Sequence, residues 1–294
     1  MSVVLQKTIE SIGKVSTTAA IPWDDTKPQS SEGLEVFSVA FTPQSASSDI
    51  YIDVRCSMRV SGTLALFVDG DTDAIAAANN LSKSTRVTSG RLLYRVASGS
   101  TTARTYKVRG GPDSGTLYNY DAIADDLGGV AAMGSIIITE VGAGTAVNAV
   151  QQVQRAQSGR VTTTSTIPRD DTIPQSTEGA EAITLALTPQ HATSNLIFEL
   201  DTGFVNTTTT TLVTVAVFVD SEPDAIAAGV VLCLGNFLQR NGFAFSIPAV
   251  STTARTYKVR VGSSGGTFTN FYTVSDDSGG ALEFTTMKIT EVAQ

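Results

Sequence analysis

The chain matches itself. Ile21-Pro22-Trp23-Asp24-Asp25-Thr26-Lys27-Pro28-Gln29-Ser30 returns as Ile167-Pro168-Arg169-Asp170-Asp171-Thr172-Ile173-Pro174-Gln175-Ser176, 146 residues later. Phe67-Val68-Asp69 and Asp73-Ala74-Ile75-Ala76-Ala77 return as Phe218-Val219-Asp220 and Asp224-Ala225-Ile226-Ala227-Ala228, now 151 residues later. Ser100 to Arg109 recurs without a change as Ser251 to Arg260, and Thr139-Glu140-Val141 as Thr290-Glu291-Val292. A duplication on this scale restricts the chain to two copies of one architecture. The change of offset requires five extra residues, which the Thr-rich stretch Asn206 to Thr211 accommodates. Gly142-Ala143-Gly144-Thr145-Ala146 is small and flexible, so the boundary is set at residues 1–144 and 145–294.

Each copy reads as a series of strands. Ile50, Ile52 and Val54 alternate along one face of Ile50 to Val54. Glu35 to Phe41 alternates imperfectly before Thr42-Pro43. Thr63 to Val68 runs into the turn Asp69-Gly70-Asp71. Arg104 to Arg109 alternates and stops at Gly110-Gly111-Pro112-Asp113, and Ile136 to Val141 closes the copy. Asp73 to Asn80 is the one stretch suited to a short helical turn. Seven or eight strands per copy predict an all-β chain of two tandem antiparallel β-sandwich, jelly-roll-like domains.

Composition agrees with that class. Thr and Val are abundant, and their branched β-carbons suit a pleated surface. Hydrophobic residues make up 41% of the chain and charged residues 16%, which excludes a disordered or charged helical chain. The net charge of -8 argues against a nucleic-acid partner, since phosphate binding needs a clustered basic face. No apolar run is long enough to span a bilayer, and the start lacks the pattern of a signal peptide. Cys56 and Cys233 do not occupy matching positions, so they read as free core thiols and not as a duplicated disulfide. Folding in a reducing cytosol is expected.

The order of these signals resembles a known kind of domain. An opening strand leads to a Pro- and Asp-bearing loop, then to a strand ending in Thr42-Pro43-Gln44-Ser45-Ala46-Ser47-Ser48. A Leu66-Phe67-Val68-Asp69 segment and a Ser/Thr-rich lead into Thr105-Tyr106-Lys107-Val108 follow, and Ile138-Thr139-Glu140-Val141 ends the copy. This resembles the repeat domains of tail fibres, spikes and head appendages in tailed bacteriophages. It is also similar to jelly-roll domains of the C1q and tumour-necrosis-factor type. The resemblance implies a non-enzymatic virion structural protein, a homotrimer, contacting other capsid or tail proteins. The lack of a stalk or coiled coil favours capsid decoration or a short spike. The second possibility is a module on the same sandwich that binds a host receptor or a surface glycan.

Chemistry-bearing residues are few. His191 is the single histidine and its counterpart is Ser45, so no Ser/His/Asp or Cys/His constellation is duplicated. Asp24-Asp25 could be set against the paired carboxylates of a glycosidase, yet adjacent aspartates beside a proline form turns more often. Asp69, Asp71 and Asp73 alternate as in a calcium loop, but Ala74 stands where the EF-hand requires glycine and Asn80 where it requires glutamate. No metal site, cofactor or catalytic residue is therefore expected. Two features remain. Lys83, Arg86, Arg91 and Arg95 have as their counterparts 151 residues later Leu234, Phe237, Gly242 and Ser246, a basic segment in one copy and an apolar one in the other, and they are the candidate contacts to the virion. Trp23, replaced by Arg169, is the candidate glycan platform. Apolar strips at Val230 to Leu234 and Phe243 to Phe245 are expected to be covered by oligomer contacts.

Overall fold

The computed structural model describes residues 3–12, 15–58, 61–80, 88–118, 134–142, 150–157, 161–206, 211–233, 238–264, 268–270 and 286–292. Among them there is no helix. The first copy supplies β1 (Val3–Ile12), β2 (Ser16–Thr17), β3 (Leu34–Phe41), β4 (Asp49–Met58), β5 (Gly62–Val68), β6 (Ala76–Asn80), β7 (Thr88–Ala97), β8 (Arg104–Pro112), β9 (Leu117–Tyr118) and β10 (Gly134–Gly142). The second supplies β11 (Val150–Gln157), β12 (Val161–Thr163), β13 (Ala180–Leu187), β14 (Asn195–Asn206), β15 (Thr211–Val219), β16 (Ala227–Cys233), β17 (Leu238–Pro248), β18 (Arg255–Ser263), β19 (Phe268–Asn270) and β20 (Thr286–Val292). The described chain divides into two compact units, one holding the described residues of 3–118, 134–142, 150–152 and 291–292, the other those of 153–290.

In the first copy one sheet runs β1-β10-β4-β7 and the other β3-β8-β5-β6. Leaving aside the short β2 and β9, the first strand pairs with the last, the second with the seventh, the third with the sixth and the fourth with the fifth. That is a long antiparallel hairpin rolled up on itself, the jelly roll. The second copy repeats it, with β11-β20-β14 continued by β17 in one sheet and β13-β18-β15-β16 in the other.

Alternation places the cores. Ile50, Ile52, Val54, Leu92, Ile136 and Ile138 of one sheet meet Phe37, Val39, Leu64, Leu66, Tyr106 and Val108 of the other in a single buried cluster. In the second copy Leu196, Phe198, Leu200, Phe243 and Phe245 meet Val213, Val215, Val217, Tyr257 and Val259 in the same way. Burying each of these aliphatic and aromatic side chains stabilises the fold by about 1.5–3 kcal/mol. The imperfect alternation of Glu35 to Phe41 has a local cause. The register slips between Glu35 and Phe37, and again between Glu181 and Ile183, so each copy carries the same bulge. The offset stays 146 through Phe204, which opposes Gln239 as Met58 opposes Thr88, and it is 151 from Val213. The five extra residues fall between, as the sequence indicates.

Three expectations need correction. Ala76 to Asn80 is not part of a helical turn but an edge strand, paired with β5 from Gly62↔Asn80 to Leu66↔Ala76. The alanines favour helix intrinsically, and the open edge of β5 outweighs that weak preference. Gly110-Gly111-Pro112 does not end its strand; β8 continues through Pro112. The segment 18–33 crosses the outer face there as a strap, and a Cβ on Gly111 would lie 2.7 Å from Ile21 Cγ1 and 2.8 Å from Ala19 O. Glycine is needed for close approach, not for a turn. Thirdly, Val230, Phe243 and Phe245 are not surface strips. They are buried, the phenylalanines within the core; the side chains of residues 231–234 lie outside the description.

The strap explains the most conspicuous repeated motif. Ile21 and Ile167 are fully buried plugs on the outer faces of β8 and β18. Ile21 N donates to Pro112 O at 3.0 Å, and Gly33 N to Ala20 O at 3.0 Å. Arg109 Nη2 donates to Gly33 O and Arg260 Nη2 to Gly179 O, each at 2.8 Å. Cys56 is a free thiol in the first core, and burial pushes its pKa up to about 12, so it is inert as a nucleophile. The side chain of Cys233 lies outside the description.

Candidate functional site

The charged residues common to both copies are held by the fold itself. Asp69 accepts from Thr105 N at 2.7 Å and from Arg104 Nε at 3.1 Å; Asp220 accepts from Thr256 N and Arg255 Nε, both at 2.7 Å. The backbone bond from the threonine, with the arginine beside it, holds both carboxyls below the usual carboxylate range. Both aspartates sit at positive φ, 56° and 52°, at the hairpin corner. Asp73 and Asp224 each accept from a glutamine, Gln29 Nε2 at 3.0 Å and Gln175 Nε2 at 2.8 Å. Asp69 and Asp73, the first and last acids of the calcium-like run, are therefore drawn to separate partners. Among the described residues no group of three or more His, Cys, Asp or Glu could hold a metal ion. Asp24 and Asp170 close turns onto Thr26 and Thr172, and His191 is exposed in the turn where Ser45 sits.

Glu140 has no counterpart in the sequence expectations. It is fully buried at the end of β10 and gathers the loop before β4. Its carboxylate accepts from Gln44 N at 2.9 Å, Ser45 N at 3.0 Å, Ser48 Oγ at 2.5 Å and Gln6 Nε2 at 2.6 Å. Burial raises the pKa, but these donors outweigh it and the net shift is downward. Glu291, at the matching position, is equally buried.

The copies diverge on the outer face of β4 and β7. Register puts Tyr51 opposite Arg95, Asp53 opposite Leu93 and Arg55 opposite Arg91. Arg91 forks onto Asp53 with Nε–Oδ1 and Nη2–Oδ2 both 2.8 Å, while Arg55 Nη2 reaches the same carboxylate at 3.0 Å. Arg95 Nη2 donates to Asp49 Oδ2 at 2.7 Å and its guanidinium lies 5.8 Å from the centre of the Tyr51 ring. Leu93 is 64% exposed and Tyr51 38%. Three guanidinium groups against two carboxylates leave this face with one positive charge. At the matching positions the second copy has Ile197, Glu199 and Asp201 opposite Ser246, Ala244 and Gly242. Glu199 pairs there with Lys288, which replaces Ile137.

Of the expected contact residues, Arg91 and Arg95 share this face, each already paired to an aspartate. Lys83 and Arg86 lie outside the described residues, as do Leu234 and Phe237. The counterpart face on β17 is small and polar at Gly242 and Ser246, not apolar, because the phenylalanines between them turn inward. Tyr51 and Leu93 are absent from the sequence expectations: β5 and β6 lie between β4 and β7 in the chain, so no turn signals the pairing that sets these two side chains close together. Trp23 belongs to the strap, on the outer face of the other sheet, and cannot join the arginines. It is 37% exposed, and its indole N–H donates to Thr63 Oγ1 at 2.9 Å, which donates on to Asn79 Oδ1 at 2.8 Å.

No family model matches the chain, and no curated protein does. Solved structures of similar architecture include the CBM22-1–CBM22-2 tandem domain of Paenibacillus barcinonensis Xyn10C, at 9% identity and a TM-score of 0.24, covering 100% of this chain and 93% of that one. The infectious bursal disease virus Gt strain structure is 12% identical with a TM-score of 0.28, covering 100% and 77%. The delta-endotoxin Cry8Ea1 of Bacillus thuringiensis is 8% identical with a TM-score of 0.31, covering 99% and 53%. At such scores the fold rests on the strand pairing described above.

Proposed function

We propose that this chain is a structural protein of a tailed-phage virion, a capsid decoration, head appendage or short spike, acting without catalysis. The observation that carries the reading is how the duplicated residues are used. Asp69, Gln29 and Arg109, with Asp220, Gln175 and Arg260 of the second copy, hold the strap and the hairpin corner, and Glu140 holds a strand end of the first. A duplication that preserves scaffold and lets one surface diverge suits a part whose work is to stand in place and touch neighbours. The first copy would dock through the outer face of β4 and β7. Tyr51 and Leu93 would supply apolar contact, and Arg91 and Arg95 with Lys83 and Arg86 would steer the approach. Such rim charges act mainly on association rate and salt sensitivity.

A homotrimer and assembly in the host cytoplasm complete the proposal. Peptide mass spectrometry of gradient-purified particles is the test, with the chain expected in the particle fraction at constant stoichiometry. Its confinement to the lysate would reject the reading. Light scattering of the isolated protein should report three chains, and a monomer at micromolar concentration would remove the trimer. The partly exposed indole of Trp23 favours a second reading, glycan contact through the strap, to which loss of glycan-array binding in Trp23→Ala would be specific.

A further inference from the structure

The first copy has a groove lined by polar groups that the second copy replaces at three matching positions. It has a volume of about 670 Å³ and is lined by Lys27, Asp71, Thr72, Asp73, Ala74, Ile75 and Tyr94. That volume falls within the roughly 300–1,000 Å³ of small-molecule sites. Its walls come from the strap, the hairpin between β5 and β6, and β7. Tyr94 and Ile75 pack against the core on one side, which fixes the ring. Lys27, Asp71 and Thr72 are exposed, and among the described residues no hydrogen bond or ion pair engages the Lys27 ammonium, the Asp71 carboxylate or the Tyr94 hydroxyl. The groove therefore offers a cation, two carboxylates, of which Asp73 already accepts from Gln29, and two hydroxyls around an anchored aromatic ring.

The backbone of this region is the same in both copies. Ser30 N donates to Thr72 O and Ser176 N to Pro223 O, both at 2.7 Å; Ala74 N donates to Pro28 O and Ala225 N to Pro174 O, at 2.9 and 3.0 Å. The side chains differ where it matters. Lys27, Thr72 and Tyr94 become Ile173, Pro223 and Phe245. Phe245 is drawn into the core, stacked on Phe198 with centroids 4.7 Å apart, where the first copy has the smaller Ile52. Three polar groups are thus lost together at one place on an unchanged frame.

We infer that the groove of the first copy binds a neutral saccharide. A sugar presents hydroxyls that donate to Asp71 and Asp73 and accept from Lys27 and the Tyr94 hydroxyl, and a C–H face that lies on an aromatic ring. The two carboxylates against one ammonium disfavour anionic ligands such as phosphates or uronic acids. The inference rests neither on the virion placement nor on Trp23, which does not line the groove.

The test titrates the full chain with maltotriose, cellotriose, chitotriose and mannotriose at millimolar concentration, with digalacturonic acid as the charged control. Binding is read by calorimetry and by NMR shifts of the Tyr94 ring and the Ile75 methyl groups. At least one neutral trisaccharide should bind and shift both residues. The double variant Lys27→Ile/Tyr94→Phe carries the residues that the second copy already tolerates, so it should fold normally and bind about tenfold or more weakly. Trp23→Ala should bind unchanged. No saccharide-dependent shift at Tyr94 and Ile75, unchanged binding by the double variant, or preference for digalacturonic acid would each overturn the inference. Loss of binding in Trp23→Ala with the groove residues silent would move the site to the strap. None of these outcomes bears on whether the chain is found in particles.

Discussion

The two copies share one frame, the strand pairing and the strap, and differ in the side chains set on it. In the strap, Ile21 and Ile167 fill the same space, held by the same arginine and the same glycine. One step outward the copies part. Trp23, Thr63 and Asn79 form a hydrogen-bonded relay in the first. Their counterparts are Arg169, Thr214 and Val230, and among the described residues the buried Thr214 hydroxyl has no hydrogen-bond partner. The difference teaches which residues the fold requires and which one copy keeps for another purpose. A buried donor that loses its acceptor costs free energy, so the relay in the first copy is retained against an alternative the second copy demonstrates.

The largest expected effect tests the frame. Replacing Glu140 by Ala leaves two backbone amides, a serine hydroxyl and a glutamine amide without their common acceptor, at a cost of about 3–4 kcal/mol. Because the folded pKa of Glu140 is depressed, its stabilisation is present above the unfolded carboxylate's value and drains away as pH falls through the folded one. Urea melts of wild type and Glu140→Gln should therefore converge towards acid pH and separate above it. Parallel curves at all pH values would remove this carboxylate from the pH response.

The strap comes next. Ala at Gly111 or Gly262 would put a Cβ 2.8 Å from Ile21 N or 2.6 Å from Ile167 N, against backbone that cannot turn aside. Each substitution should destabilise its own copy by about 2–3 kcal/mol, read from thermal melts. If one copy accepts alanine freely, the two straps are not equivalent and the comparison fails at its best-matched point.

How far these roles can be read from the sequence follows from what alternation reports. Apolar residues on a period of two mark an inner face, so Ile50, Ile52, Val54 and Ile138 are visible as core, and the change of offset locates the insertion. Periodicity is silent on charged residues that turn inward at a strand end, which hides Glu140 behind a pattern that fits an exposed acid equally well. It is silent also on glycines: Gly111 beside a proline reads as a turn until the strap is seen lying on it. Ala76 to Asn80 misleads because alanine's preference is local, whereas the edge of β5 lies elsewhere in the chain. Phe243 and Phe245 mislead for a related reason. An apolar pair is taken as a patch unless the partner strand that turns it inward is known. Of the candidate site, Arg91 and Arg95 are legible as divergence between copies; their aspartate partners are not, because cross-strand register sets them.

Smaller effects separate the relay from its remnant. Thr63→Val strands Trp23 Nε1 and Asn79 Oδ1 and should cost about 1 kcal/mol. Thr214→Val removes a hydroxyl that has no partner among the described residues, keeps the shape, and should be neutral or stabilising by up to about 1 kcal/mol. Opposite signs at matching positions of one duplication would be a direct measure of divergence. Equal losses would mean that Thr214 has a partner in solution.

The smallest effect on stability is expected where the largest effect on assembly is proposed. Arg91 and Arg95 are exposed, at 56% and 61% of their side chains, and each is paired to an aspartate across the strands. Exposed pairs of this kind contribute about 0–1 kcal/mol, because solvent screens the attraction and two long side chains lose freedom to make it. Arg91→Gln/Arg95→Gln should therefore melt within about 1 kcal/mol of wild type. It would nonetheless free Asp49, leave Asp53 to Arg55 alone, and turn the face from one positive charge to one negative. Beside an acidic neighbour that change slows docking, and raised salt slows the wild type towards the same rate. The double variant should load poorly onto particles stripped of the protein, with Tyr51 and Leu93 intact. Normal loading would show that the arginines only tie β7 to β4. A defect that salt does not reproduce would point to the ring contact between Arg95 and Tyr51 in place of charge, and Arg95→Lys, which keeps the charge and loses the planar guanidinium, separates those two causes.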